Sequence, residues 1–193
     1  MENQFFSMLS RMKYINRWSL MRNTSKENIS EHSLEVAFFA HALGVIKNKR
    51  FGGNIDCNRL AVIAMFHEVS EIITGDLPTP VKYYNPEIKT AYKEVENVAV
   101  QKLISYLPDY MKDEYCNLLC KNDDDKYLYK LVKAADKLSA LAKCIEEEKM
   151  GNSDFLDAKK TILSYIEQIN LPEVNVFLKE FMPAFGLSLD KQA

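Results

Sequence analysis

The stretch NRLAVIAMFHEVSEIITGDLPTP, Asn58–Pro80, decides the fold. Leu60, Ile63, Ala64 and His67 recur at helical spacing, and Gly75 followed by Pro78 and Pro80 forbids further helix. The spacing therefore predicts one amphipathic helix whose last two turns carry His67, Glu68 and Glu71. At roughly 100° per residue, Glu71 falls close behind His67 and Glu68 lies on the flank, so the three share about one third of the helix circumference. Asp76 follows at once, a short acid on a backbone stiffened by the prolines. A single histidine on an apolar helix is commonly a satisfied core residue. Acids beside it favour a place at the rim of a core or on a cation, because unpaired carboxylates are costly inside.

Working outward, no segment alternates as a strand and there is no internal repeat, so the expected fold class is all-α, a compact helical bundle. The 193 residues with 47% hydrophobic content suffice for one substantial core and are short for two, which makes 1–193 a single domain. With 25 basic against 27 acidic residues the net charge is −2, so no global field draws nucleic acid or an anionic membrane. Cys57, Cys116, Cys120 and Cys144 contain no CxxC pair, which argues against a zinc ribbon or disulfide scaffold. MENQFFSMLSRMK lacks the apolar core of a signal peptide, and no run approaches the ~18 uncharged residues of a membrane span. A reducing, cytoplasmic location is the expectation.

Upstream, a first helix is expected over residues 3–13, then an irregular connection from Tyr14 to Asn28 with Arg17, Trp18 and Arg22. Trp18 reads either as a core plug or as a flat wall against a ring-bearing ligand whose negative charge Arg17 or Arg22 would meet. A second helix, from about Ser30 to Asn48 and capped by Asn28 or Ser30, aligns His32 with Val36, Phe39, Leu43 and Ile46 and turns His41 to the opposite face. Only one of these histidines can share a site with His67, and the apolar stripe selects His32.

Downstream, Asn85-Pro86-Glu87 opens a helix with Ile88, Tyr92, Val95, Ala99, Leu103 and Tyr106 on one side, and a shorter helix covers Asp109 to Cys120. Asp123-Asp124-Asp125 lacks the alternation and glycine of a calcium loop and reads as a solvated helix start. The helix it opens, to about Met150, turns Leu128, Leu131, Ala135, Leu138 and Ala142 inward and Lys130, Lys133 and Lys137 outward. Asp136 borders the inward stripe, either as a structural hydrogen-bonding group or as part of a site. Two more helices follow, from Asn152 or Ser153 and from Pro172.

His32, His67, Glu68 and Asp136 from three helices would make a mixed N/O site suited to divalent Mn, Co, Fe, Ni or Zn. This pattern resembles the HD-domain metal-dependent phosphohydrolases. INRWSLMRN (Ile15–Asn23), SEHSLEVA (Ser30–Ala37), FGGN (Phe51–Asn54) and TGDLPTPVKY (Thr74–Tyr83) look more narrowly like the bacterial HD-domain 5′-deoxynucleotidases, over nearly the whole chain to LSLD at Leu187–Asp190. The resemblance implies an HD-type bundle and a cytosolic homodimer. It implies hydrolysis of deoxyribonucleoside 5′-monophosphates with a divalent cation such as Co or Mn. It also implies that His32, His67 and Asp136 are metal ligands, Glu71 a catalytic acid, and Asp76 a residue for substrate and leaving group. Arg17 and Trp18 would recognise the substrate and select a deoxy sugar. The chain departs from the family doublet His-Asp at His67-Glu68, one methylene longer. The rival readings are an HD hydrolase of another nucleotide and a nucleotide-binding or dimerisation module with a weakened metal site.

Overall fold

The computed structural model describes residues 3–82 and 84–192. Tyr83, the end of the TGDLPTPVKY segment, lies outside the described residues, as do Met1, Glu2 and Ala193. The helices are α1 (Phe5–Leu9), α2 (Ile29–Phe51), α3 (Cys57–Met65), α4 (Glu71–Thr74), α5 (Thr79–Lys82), α6 (Pro86–Ser105), α7 (Asp109–Leu119), α8 (Lys126–Lys149), α9 (Leu156–Ile169) and α10 (Pro172–Glu180), with short 3-10 turns between them. Among the described residues the extended pairing is a lone bridge between Asn16 and Asn28, so the all-α expectation holds. No described helix is long and apolar enough to cross a membrane.

α2 is the axis of the molecule. Asn28 accepts from the Ser30 and Glu31 amides while Glu31 reaches back in a capping box, and Gly52, at φ 64°, stops the helix in the left-handed region. The helix therefore runs three residues past the expected end at Asn48. Val36, Ala40 and Leu43 are buried against Leu60 and Ala64 of α3 and Leu131, Ala135 and Leu138 of α8. His32 lies in that buried stripe and His41 is exposed, as the periodicity requires.

Four expectations need correction. The helix through His67 is not continuous: α3 stops at Met65, tight turns occupy 66–70, and Glu71 opens the separate α4. The Ala64 carbonyl accepts both the His67 amide at 3.3 Å and His67 Nδ1 at 2.7 Å, so it is lost to the i+4 ladder, and the following amides bond three residues back. Ile88 and Val95 of α6 are exposed rather than turned into the core with Ala99 and Leu103. Asp125 is buried rather than solvated, since Arg59 Nε donates to it at 3.0 Å. Lys137 does not point simply outward: its Nζ lies 2.9 Å from Asp136 Oδ2.

The turn at 66–70 is the seam between two apolar clusters. Leu60, Ile63 and Ala64 belong to the main core, whereas Val69 packs with Phe5, Leu103 and Leu107 beneath α6. Anchoring both flanks leaves His67, Glu68 and Glu71 between the clusters.

The connection at 15–28 is fastened to α8 by a buried carboxylate. Glu147 accepts from Thr24 N at 3.0 Å, Ser25 N at 3.2 Å and Asn152 Nδ2 at 2.7 Å, and pairs with Lys143. Burial opposes its ionisation, but Lys143 and the Thr24 and Asn152 donors outweigh that and hold the carboxyl below the usual carboxylate range. A depressed folded value stabilises above the unfolded carboxylate range and is lost as pH falls through it. Urea unfolding should show stability falling below about pH 5. Glu147→Gln should cost about 2 kcal/mol at neutral pH and flatten that fall; an unchanged pH slope would show that other carboxylates carry it.

Candidate metal and phosphate site

The site is assembled where α2, the 66–70 turn and α8 meet. One ligand atom from each of His32, His67, Glu68 and Asp136 can be chosen so that all lie within 4.8 Å of one another. The His32 and His67 ring centroids are 5.3 Å apart. Both rings present Nε2 to the site, and these two nitrogens are buried without a hydrogen-bond partner. Asp136 Oδ1 stands 3.2 Å from His32 Nε2, and Glu68 Oε1 stands 3.4 Å from His67 Nε2, at ion-pair range but not aligned as hydrogen bonds.

The remaining ring nitrogens are committed elsewhere: His67 Nδ1 to the Ala64 carbonyl, and His32 Nδ1 to Ser139 Oγ at 3.0 Å. A carbonyl only accepts, so His67 carries its hydrogen on Nδ1 and offers an Nε2 lone pair. Two imidazoles held from behind, with bare nitrogens facing two carboxylates, fit a first-row divalent cation. The extra methylene of Glu68 is accommodated because the residue projects from a turn rather than from a continuous helix, and its carboxylate reaches the group.

The acids of the group do not ionise alike. Burial works against the charge of Glu68, but His67 draws the carboxyl down. Glu71, buried at the start of α4, is pushed the other way by burial and by the Glu68 charge and hydrogen bond. Partial burial also opposes the charge of Asp136, yet Lys137, His32 and Arg17 hold it well below the usual range. Asp76 follows Gly75, whose φ of 72° turns the chain out of α4, and burial raises its carboxyl against the pull of Arg17. The set thus contains carboxyls of opposite proton affinity within one cluster, the arrangement general acid–base chemistry requires.

Arg17 and Trp18 reach this group from the 15–28 connection. Arg17 Nη1 and Trp18 Nε1 both donate to Glu27 Oε2, at 2.8 and 2.9 Å, and Arg17 Nη2 lies 3.7 Å from Asp136 Oδ1. Trp18 takes φ 58°, a left-handed conformation rare for so large a residue. The Asn23 amide donates to its carbonyl at 3.1 Å, and its ring packs on Phe155 with centroids 5.2 Å apart. Sequence reasoning missed Glu27 and Ser139. Ser139 carried a usable signal, a polar residue inside the apolar stripe of α8 and one turn beyond Asp136; Glu27 carried none beyond its place beside the Asn28 cap.

Comparison with known proteins supplies the family context. The sequence model of the YfbR-like 5′-deoxynucleotidases matches residues 4–185. A 5′-deoxynucleotidase of Vibrio vulnificus is 50% identical over 190 residues, covering 98% of both chains, and one of Photobacterium profundum is 50% identical over 193 residues with the same coverage. Among solved structures, an HD-domain phosphohydrolase from Listeria innocua superposes with a TM-score of 0.82 at 28% identity, over 94% of this chain and 88% of its own. A cyanophage S-2L HD phosphohydrolase, bound to dA and one catalytic Zn2+ ion, superposes at 0.66 and 21% identity, over 92% of this chain and 93% of its own.

Glu27→Ala should free both Arg17 and Trp18. Losing hydrogen bonds between charged groups costs about 1.5–3 kcal/mol, so KM for a nucleotide substrate should rise on the order of tenfold or more. Steady-state kinetics beside a thermal melt check this; an unchanged KM would detach Glu27 from recognition.

Proposed function

We propose, for a chain that belongs to the YfbR-like 5′-deoxynucleotidase family and hydrolyses deoxyribonucleoside 5′-monophosphates to deoxynucleoside and phosphate, that His32, His67, Glu68 and Asp136 hold one divalent cation and that Arg17, Trp18, Glu71 and Asp76 act on the nucleotide beside it. The observation that carries this reading is the pair of buried, unpartnered Nε2 atoms facing the Glu68 and Asp136 carboxylates. Such a cation, when bound, supplies Lewis-acid polarisation of the phosphate and of the attacking water. Imidazole with carboxylate suits Mn, Co or Zn better than an all-oxygen site suited to Mg.

The chain's own groups do the rest. Water adds to phosphorus as the bond to the 5′ oxygen breaks in line. Glu71 orients the attacking water and takes its proton, a role open to it once a cation offsets the effects of burial and of the Glu68 charge, which otherwise keep its carboxyl protonated. Asp76, also shifted upward, gives a proton to the departing 5′ oxygen. Arg17 is kept charged because Glu27 and Asp136 outweigh its burial, and it neutralises phosphate oxygens. Trp18, fixed by Glu27 and Phe155, crowds the 2′ position so that a ribose hydroxyl is excluded. The reading extends to one HD-type domain over 1–193 and a cytoplasmic homodimer without nucleic-acid or membrane partners. Four free cysteines suit a reducing compartment. Leu34, Phe38 and Val45 give α2 an exposed apolar stripe that a second copy would cover.

The direct test is phosphate release from dAMP and AMP by chelator-treated protein with Mn, Co, Zn or Mg restored singly. Turnover should require the added ion and favour dAMP; full activity after stringent chelation would overturn the metal assignment. In Trp18→Ala the dAMP to AMP ratio should fall toward one, and an unchanged ratio would remove Trp18 from sugar selection. Because Glu68 already reaches the group, Glu68→Asp should withdraw the carboxylate and weaken cation affinity on the order of tenfold in a competitive titration, whereas tighter binding would show the longer arm to be a handicap.

A further inference from the structure

One neighbouring helix faces both ring nitrogens of His32 and bonds one of them. Asp136 and Ser139, three residues apart on α8, face its Nε2 and Nδ1 at 3.2 and 3.0 Å. Ser139 is fully buried, and its hydroxyl donates to Glu35 Oε2 at 2.5 Å. Glu35 is three residues beyond His32 on α2, so two i,i+3 pairs on adjacent helices close a chain around one imidazole.

We propose that Glu35, acting through Ser139, is a positioning residue that decides which ring nitrogen of His32 carries the hydrogen. The reasoning is a count of donors. A hydroxyl has one hydrogen, and Ser139 spends it on a carboxylate that can only accept. Toward His32 the Ser139 oxygen is therefore an acceptor and Nδ1 must be the N–H; a neutral ring then keeps a lone pair on Nε2, against the competing pull of the Asp136 carboxylate 3.2 Å away. His67 reaches the same tautomer more directly, through a backbone carbonyl. The second acceptor near His32 Nδ1, Glu27 Oε1 at 3.6 Å, asks for the same hydrogen, but the other oxygen of that carboxylate is occupied by Arg17 and Trp18. Glu35 ends the relay at a small surface cleft of about 170 Å³, which Glu27, Lys26, Lys143 and Glu146 also line. Nothing in the phosphate chemistry requires Glu35, and its place in the chain explains why α2 carries an acid one turn beyond a buried histidine.

The inference rests on His32 being a cation ligand, and the experiment separates the two. In metal-free, full-length protein labelled with 15N-histidine, long-range 1H–15N correlation above the imidazole range, at about pH 8, should show His32 protonated on Nδ1 alone. Ser139→Ala and Glu35→Leu should shift that ring to a mixture of tautomers and lower Mn or Co affinity on the order of 10- to 100-fold. Glu35→Gln, which keeps an acceptor for the hydroxyl, should retain the wild-type tautomer and most of the affinity. An unchanged tautomer in both Ser139→Ala and Glu35→Leu overturns the proposal, as does weakened binding with the tautomer intact, which would mark a structural role. If Glu35→Leu does not fold, Ser139→Ala carries the test by removing only the hydroxyl. Failure of the wild-type protein to bind any divalent ion would sink the ligand assignment, while the tautomer measurement would still decide the relay.

Discussion

Gathering two imidazoles and three carboxylates at one largely enclosed point is the constraint on which the rest of this structure depends. Each ionised acid taken from water costs several kcal/mol unless charge or hydrogen bonds replace its hydration. Glu71 is buried and Glu68 and Asp136 are largely enclosed, and the compensation visible among the protein's own groups is partial: Lys137 and Arg17 for Asp136 and raised proton affinity for Glu71, while Glu68 faces the bare His67 Nε2. A dication set against the bare Nε2 atoms would replace local repulsion with attraction and would be bound by the surplus negative charge. An anionic phosphate approaching this group of acids would need Arg17 and a cation together to offset their charge.

The fold serves this by fixing each ligand on an element with its own reason to be there. α2 is held along its length by core contacts and at both ends by caps, so the His32 ring has little freedom. α8 buries one face continuously from Leu128 to Cys144, and Asp136 lies at the edge of that face. The turn at 66–70 is tethered by Ala64 on one side and Val69 on the other. None of the four proposed ligand positions depends on a loose segment, and geometry fixed before binding is what makes electrostatic stabilisation effective.

What the sequence made legible follows from periodicity. The stripe on α2 separated His32 from His41, and the stripe on α8 marked Asp136 as anomalous; both are local properties of a 3.6-residue repeat. The break after Met65 was not legible because residues 66–70 contain neither glycine nor proline, and its cause is a side-chain bond from His67 to Ala64. Asp125 was misread because its partner Arg59 is 66 residues distant, beyond the reach of any local pattern. Ser139 meets His32 and Glu35 across the bundle and showed only as a polar residue in the α8 stripe, whereas Glu27 meets Arg17 and Trp18 within its own irregular connection, which has no period to read. Lys137 shows the limit from the other side: its helical phase points it away from the core, and a long flexible arm brings its ammonium back to Asp136.

Glu27 joins the two halves of the proposed chemistry. One of its oxygens holds Arg17 and Trp18, and the other lies 3.6 Å from His32 Nδ1, so a single carboxylate borders both the recognition segment and a ring facing the cation site. Burial should penalise its charge, yet His32 and Arg17 hold the carboxyl at about 2, and it is ionised throughout the physiological range. A movement of Arg17 toward a phosphate would weaken its hold on Glu27 and leave that charge facing His32 more strongly, favouring the Nδ1–H form that leaves Nε2 bare. Substrate contact and ligand orientation would then be mutually reinforcing. The left-handed Trp18 fits the same logic, because a residue in so costly a conformation persists only where surrounding bonds over-determine it, here Asn23 on its carbonyl, Glu27 on its indole and Phe155 against its ring.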